Sequence, residues 1–259
     1  MSSTAAPSIA DALAGRAGND RSLYGFGGLH GGLTAAMLLR TMRAEAQPEF
    51  VPVELTAHLS RPLHGQPALS AEVTHSGRAL TLVSATASND ARTGATATLA
   101  LAARTSGDTP TVLPARPKHL LPIERAEQFA VPPEFVPIST RFEIRPATPA
   151  LPFSGAGEAK LCAWVRLTEP VEDPWERLLL LADALAPSYA AVLTDLRLIP
   201  TVRMTVRFTP EVASTEFTWV LVDATTTEAG VDGWLTEAIH LWSEAGTLLA
   251  SSSQLRLAQ

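Results

Sequence analysis

The chain has 259 residues, 46% of them hydrophobic and 18% charged, with a mean hydropathy of +0.13; that is enough apolar material for a core and excludes disorder as a whole. Lys plus Arg number 20 and Asp plus Glu 26, so the formal charge is −6, without the basic footprint expected of a nucleic-acid binder. The single cysteine, Cys162, excludes an internal disulfide and a cysteine-rich zinc site and points to a reducing, cytoplasmic setting.

The first twenty residues carry Asp11 and Asp20 and lack both a basic segment and a compact apolar run, so they do not read as a signal peptide. A glycine cluster, Gly25 to Gly32, precedes a stretch rich in Ala, Leu, Met and Arg that predicts a helix over 33–45, with Arg40 and Arg43 suited to its C-terminal dipole. Val51, Val53, Leu55, Ala57 and Leu59 recur at period two and predict a strand over 50–59, closed by Arg61-Pro62. Strands are expected at 68–75 and 79–88, joined by the hairpin signal Ser76-Gly77, and a fourth at 93–103. From 106 to 152 prolines recur every few residues and break regular structure. This segment reads as a surface linker over 106–137, with a strand at 138–145. Residues 160–167 form the next strand. Asp173 and Pro174 mark an N-cap and first helical position, so a helix is expected over 175–186, ending before Pro187. The most apolar stretch, 178–193, is interrupted by Asp183 and Pro187; it is too short to span a bilayer and reads as a buried helix. Strands over 201–209, 215–224, 233–243 and 247–257 complete the chain.

Both halves therefore read as one helix followed by four strands. The repeat is visible in residues: Val53, Leu55, Thr56 and Leu59 align with Val202, Met204, Thr205 and Phe208, and Ser88–Ala91 aligns with Trp242–Ala245 as a turn before the last strand. A repeat this long is a duplicated unit rather than a solenoid period. The expected class is α+β, with units at 20–105 and 138–259 and the proline-rich linker at 106–137.

Asp183 lies among Leu180, Leu181, Ala182, Ala184 and Leu185. A buried unpaired carboxylate is costly, so it is a candidate functional acid or base. The alternative is the exposed face of an amphipathic helix; Arg177, nearly opposite on that helix, gives it little support. Where the glycine cluster enters the first helix, near His30, Gly31 and Gly32, unpaired backbone N–H groups could bind an anion; His30 could contact substrate or simply pack. The remaining histidines, His58, His64, His75, His119 and His240, have no metal-ligand spacing, and no metal or other cofactor is expected. The glycines lack the strand–turn–helix context of a dinucleotide site, and no G-x-S-x-G elbow is present. Cys162, inside an apolar strand, reads as an inert core thiol.

The chain resembles the type II, TesB-like acyl-CoA thioesterases. The residues that carry the likeness are Phe26-Gly-Gly-Leu-His-Gly-Gly32; Pro62-Leu-His-Gly-Gln66 followed by Ser76-Gly77-Arg78; Leu181-Ala-Asp183-Ala-Leu185; and Pro200-Thr201-Val202 with Leu249-Ala-Ser-Ser-Ser-Gln254. Their order implies a fused double hotdog, each half a long helix wrapped by a curved antiparallel sheet. The resemblance implies hydrolysis of an acyl-CoA thioester, with a water held by Asp183, Thr201 and Gln254 and the oxyanion met near His30, Gly31 and Gly32. It implies acyl-CoA as the partner, no nucleic acid and no membrane. A fused pair already supplies the sheet pairing that single hotdogs gain by dimerising, while further association allows a homodimer. The chain departs from the pattern at Arg203, where an acidic residue is common, and in a shorter loop between Asp183 and Thr201. The alternatives are a hotdog enoyl-thioester hydratase, for which His30 lacks an Asp at the matching spacing, and a non-catalytic acyl-thioester binding protein, which Arg203 would favour.

Overall fold

A computed structural model describes residues 6–103 and 111–259; the first part of the expected linker, 106–110, lies outside the described residues. The elements are α1 (Ile9–Leu13), α2 (Gly31–Ala44), β1 (Phe50–Leu59), β2 (Ala68–Ser76), β3 (Leu80–Asn89), β4 (Arg92–Ala103), β5 (Phe142–Pro146), β6 (Lys160–Leu167), α3 (Pro174–Ala182), β7 (Thr201–Phe208), β8 (Val220–Ala229), β9 (Trp234–Ser243) and β10 (Leu248–Leu257). All ten strands form one antiparallel sheet in the order β2-β3-β4-β1-β7-β10-β9-β8-β6-β5.

The two halves meet at β1 and β7. Their register sets Thr56 opposite Thr205, with the two hydroxyls 3.0 Å apart, and sets Leu55 opposite Val206 and Ala57 opposite Met204. Thr56 and Thr205 are aligned residues of the repeat, so a local two-fold axis passes between them. On either side, β4 next to β1 corresponds to β10 next to β7. The inward phase of each central strand is apolar: Leu55 and Ala57 in β1, Met204, Val206 and Phe208 in β7 are all buried. They share one buried core with Leu33, Ala35, Ala36, Met37, Leu38, Leu39 and Met42 of α2 and with Leu178 to Leu181 of α3. At roughly 1.5–3 kcal/mol per fully buried large aliphatic side chain, this helix–sheet layer is the main source of stability.

Three elements differ from expectation. The second helix ends at Ala182 rather than 186, nine residues long, because Asp183 takes a non-helical conformation (φ −116, ψ 15) and Pro187 holds the chain ahead of it out of the helical region. The stretch read as one buried helix over 178–193 is thus α3 followed by a 3-10 turn at Ser188–Val192. The strand expected at 215–224 runs Val220–Ala229 instead: a 3-10 turn at Pro210–Ala213 precedes it, and its polar end, Thr225 to Ala229, is held by pairing with β9 rather than by burial. In the proline-rich segment, a 3-10 turn occupies Pro137–Arg141 and the strand is confined to Phe142–Pro146. Short α1, capped reciprocally by Ser8 and Asp11, was not expected.

A second apolar cluster lies apart from the main core and contains Cys162, Trp164, Trp219, Leu221 and Trp242. Part of the proline-rich segment covers it: Leu120 and Ile123 pack there, and the Trp164 indole N–H donates to the Leu121 carbonyl at 3.0 Å. Burial pushes the Cys162 thiol up to about 12. The buried thiol stays protonated near neutral pH, so the folded protein should not react with an aromatic disulfide reagent, whereas one thiol per chain should react in denaturant. Rapid labelling of the native protein would contradict this burial.

Candidate functional site

The site forms where α2, α3, β7 and β10 converge. α2 begins at Gly31 and Gly32; the missing side chain of Gly32 permits its approach to the α3 backbone, and that of Gly31 leaves room for the Asp183 carboxylate. A Cβ on Gly32 would lie 2.6 Å from the Leu179 carbonyl oxygen, and one on Gly31 would lie 2.7 Å from Asp183 Oδ2. The absence of side chains there lets Asp183, the C-cap of α3, reach the first turn of α2. The Gly32 N–H donates to Asp183 Oδ2 at 2.9 Å. The carboxylate therefore sits on the positive end of the α2 dipole and satisfies a donor that has no partner within the helix.

His30 is the N-cap of α2 and is buried. Its Nδ1 accepts the Leu33 N–H at 3.3 Å, which leaves the ring hydrogen on Nε2. That Nε2–H donates to the Asp183 backbone carbonyl at 2.9 Å and lies 3.5 Å from Asp183 Oδ2. Both ring nitrogens are thus engaged by protein. Among the first N–H groups of α2, Gly32 and Leu33 have partners; that of Gly31 has no acceptor among the described residues.

Thr201 opens β7 with its hydroxyl 3.3 Å from Asp183 Oδ1 and 3.2 Å from Gln254 Oε1. One hydroxyl hydrogen serves one of these acceptors at a time, so the other keeps a lone pair for a further donor. Gln254, fully buried on β10, is fixed by its Nε2–H donating to the Ala182 carbonyl at 3.0 Å. The six residues singled out from the sequence, His30, Gly31, Gly32, Asp183, Thr201 and Gln254, are brought into one cluster from both halves of the chain. Arg203 is set apart: its cross-strand partners are His58 and Leu255, and among the described residues it bonds none of the six.

Sequence reasoning missed two charges beside the cluster. Arg256 of β10 is 5% exposed, and its Nη2 lies 3.8 Å from Asp183 Oδ1. Its Nε–H donates to Glu237 Oε2 at 2.7 Å, and Glu237 of β9 is 1% exposed. The signal was strand phase: Arg256 shares the inward phase of Ser252 and Gln254, and Glu237 that of Leu235 and Ile239. Among the described residues no group of His, Cys, Asp and Glu could hold a metal ion, and no helix is long and apolar enough to cross a membrane.

Comparison with known proteins agrees in both halves. Residues 21–105 match the acyl-CoA thioesterase N-terminal domain and residues 117–258 the acyl-CoA thioesterase C-terminal domain. Among solved structures, a conserved protein of unknown function with a hot dog fold from Alicyclobacillus acidocaldarius is 24% identical, with 93% of this chain and 90% of that one covered and a TM-score of 0.81. The acyl-CoA thioesterase II TesB2 from Mycobacterium marinum is 18% identical, with 88% of each chain covered and a TM-score of 0.65. The tesB protein of Mycobacterium avium subs paratuberculosis is 16% identical, covering 97% of this chain and 100% of that one at a TM-score of 0.69. These likenesses establish the hotdog fold. No curated protein matches the chain.

Proposed function

The chain belongs to the acyl-CoA thioesterase family and hydrolyses an acyl-CoA thioester to the free acid and CoA; we propose that Asp183, Thr201 and Gln254 hold and activate the attacking water. The observation that carries this reading is that the Thr201 hydroxyl lies within 3.3 Å of both the Asp183 carboxylate and the Gln254 amide oxygen, with Asp183 bonded to the N-terminus of α2. Such a water donates one hydrogen to Asp183 and one to the free lone pair of Thr201 or Gln254. Asp183 takes the first proton as the oxygen attacks the thioester carbon. The Gly31 N–H, at the positive end of α2, is the donor left to meet the developing oxyanion. The C–S bond then breaks and the proton passes to the thiolate of CoA.

The fold is read as a fused double hotdog with units at 20–105 and 138–259. The Thr56–Thr205 two-fold and the matching strand order about β1 and β7 support this. A small apolar cavity of about 40 Å³ is lined by Ile144, Leu161, Leu185 and Ala186 among others, and none of the six site residues lines it. A cleft of about 470 Å³ is lined by Arg61, His64, Asp90 and Arg92, and neither arginine pairs with a carboxylate among the described residues. It suits the phosphates of CoA. A homodimer and a cytoplasmic setting are part of the same proposal, supported by the uncovered edge of β2 and by the lone reduced cysteine.

The test is free-thiol release from a panel of acyl-CoAs. Thr201→Val should lower kcat by about 10–100-fold, since one orienting hydrogen bond is lost, while Thr201→Ser should keep most of the activity. No release from any chain length would overturn the reading.

The contact between His30 and Asp183 favours a second reading, an enoyl-thioester hydratase, because the pair missing from local spacing is supplied by the other half. Against it, both His30 nitrogens are bonded to protein, leaving none to move a proton on substrate. Incubation with an enoyl-CoA decides: hydration without thiol release would favour this alternative.

A further inference from the structure

Behind Asp183 lies a chain of buried charge that the hydrolytic reading does not use. Glu237 has both carboxylate oxygens occupied: Oε1 accepts the Ser188 N–H at 2.5 Å and Oε2 accepts the Arg256 Nε–H at 2.7 Å. Held by that bond, the guanidinium directs Nη2 to within 3.8 Å of Asp183 Oδ1. Arg256 and Glu237 are 5% and 1% exposed, and the Asp183 side chain 10%, so solvent screens these charges little. Charges so buried persist only when paired, and a guanidinium stays protonated.

We propose that Arg256, anchored by Glu237, is a positioning residue that fixes the orientation and charge of Asp183 during thioester hydrolysis. The proposal rests on the reading of Asp183 as the group that takes the water's proton. The charged and titratable groups facing Asp183 are His30 from the start of α2 and Arg256 from β10, with Glu237 of β9 behind the arginine; Thr201 and Gln254 are uncharged. One cation is thus shared between two carboxylates. Removing the cation leaves two buried carboxylates near each other, and Asp183 then holds a proton to higher pH. Neutralising Glu237 gives Asp183 the arginine's whole charge, and Asp183 then loses its proton at lower pH. A scaffold pair whose only role is packing would not shift the two variants in opposite directions.

The experiment is the pH profile of kcat for acyl-CoA hydrolysis by the wild type, Arg256→Gln, Arg256→Lys and Glu237→Gln, each checked for native melting. In Arg256→Gln the acid limb should move up. In Glu237→Gln, whose amide oxygen can still accept the Arg256 Nε–H and so keep the guanidinium in place, the limb should move down. Arg256→Lys should keep the limb near its wild-type position but lower the plateau, because a point charge replaces a planar fork. If Arg256→Gln fails to fold, the Glu237→Gln and Arg256→Lys profiles decide. An acid limb unmoved in Glu237→Gln, or moved the same way in both neutral variants, overturns the proposal. Full activity in Asp183→Asn overturns the parent reading instead, so the two failures are distinguishable.

Discussion

Asp183→Asn should lower kcat for acyl-CoA hydrolysis by about 10²–10⁴-fold, the range that a positioned general base contributes. The substitution isolates chemistry from architecture. Asparagine has nearly the same shape, and its Oδ1 can still accept the Gly32 N–H now 2.9 Å from the carboxylate. The His30 hydrogen bond runs to the Asp183 backbone carbonyl and is untouched. The lost feature is the second acceptor oxygen, which faces Thr201 at 3.3 Å and Arg256 at 3.8 Å, and with it the ability to take a proton. Melting temperature should therefore change little while turnover falls. KM should move less than kcat, because the interaction is made to the water and not to the ground-state thioester. Thiol release by wild type and variant at saturating acyl-CoA measures it; an asparagine variant with undiminished kcat would remove Asp183 from the mechanism.

How this site is assembled also explains what the sequence could and could not reveal. The start of α3 is legible because its chemistry is local: Asp173 accepts the N–H groups of Trp175 and Glu176, and Pro174 has no N–H to satisfy. The end of α3 is not legible, because Asp183 is drawn out of the helix by Gly32, 151 residues away along the chain. The same distance hides the His30–Asp183 pair from any argument on spacing. β7 is legible because it alternates with one face buried; β1 is legible as a strand, but a register shift between Pro52 and Glu54 switches its buried phase from Phe50 and Pro52 to Leu55 and Ala57, which period two alone does not reveal. Their repeat anticipates that Thr56 and Thr205 are equivalent; that they lie face to face follows only from pairing of the halves. β8 is displaced because its polar end has no apolar phase to read. Thr201 and Gln254 are ordinary residues taken alone, and family resemblance singles them out. Arg256 and Glu237 carry a readable sign, a charge in the buried phase of a strand, but only once that phase is assigned.

Gly32→Ala and Gly31→Ala should separate the two roles of the helix start. On Gly32 the added Cβ meets the Leu179 carbonyl oxygen at 2.6 Å, with Asp183 Cβ at 3.0 Å and His30 Cε1 at 3.1 Å. The nearest obstacle is backbone of α3, which cannot turn aside, so the two helices must separate through a core where Leu178, Leu179, Leu38 and Leu39 are fully buried. Such overpacking costs about 1–3 kcal/mol, more than the fraction of a kcal/mol that alanine returns near a helix end. For a chain of this size the melting temperature should drop by roughly 2–6 °C. Separation also lengthens the Gly32 N–H bond to Asp183, so turnover should fall with stability. On Gly31 the obstacles are side-chain ends: Asp183 Oδ2 at 2.7 Å and Leu59 Cδ1 at 2.8 Å. Both can rotate, so melting should stay close to wild type. The atom that moves is the carboxylate oxygen itself, however, and kcat should fall by about tenfold or more, as a displacement of 1 Å in a reacting group commonly costs. Paired melting and thiol-release measurements on the two variants read the contrast. Wild-type kcat in Gly31→Ala would show that the orientation of Asp183 Oδ2 is irrelevant to the reaction, and unchanged melting in Gly32→Ala would show that α2 and α3 are not held in the close contact that builds the site.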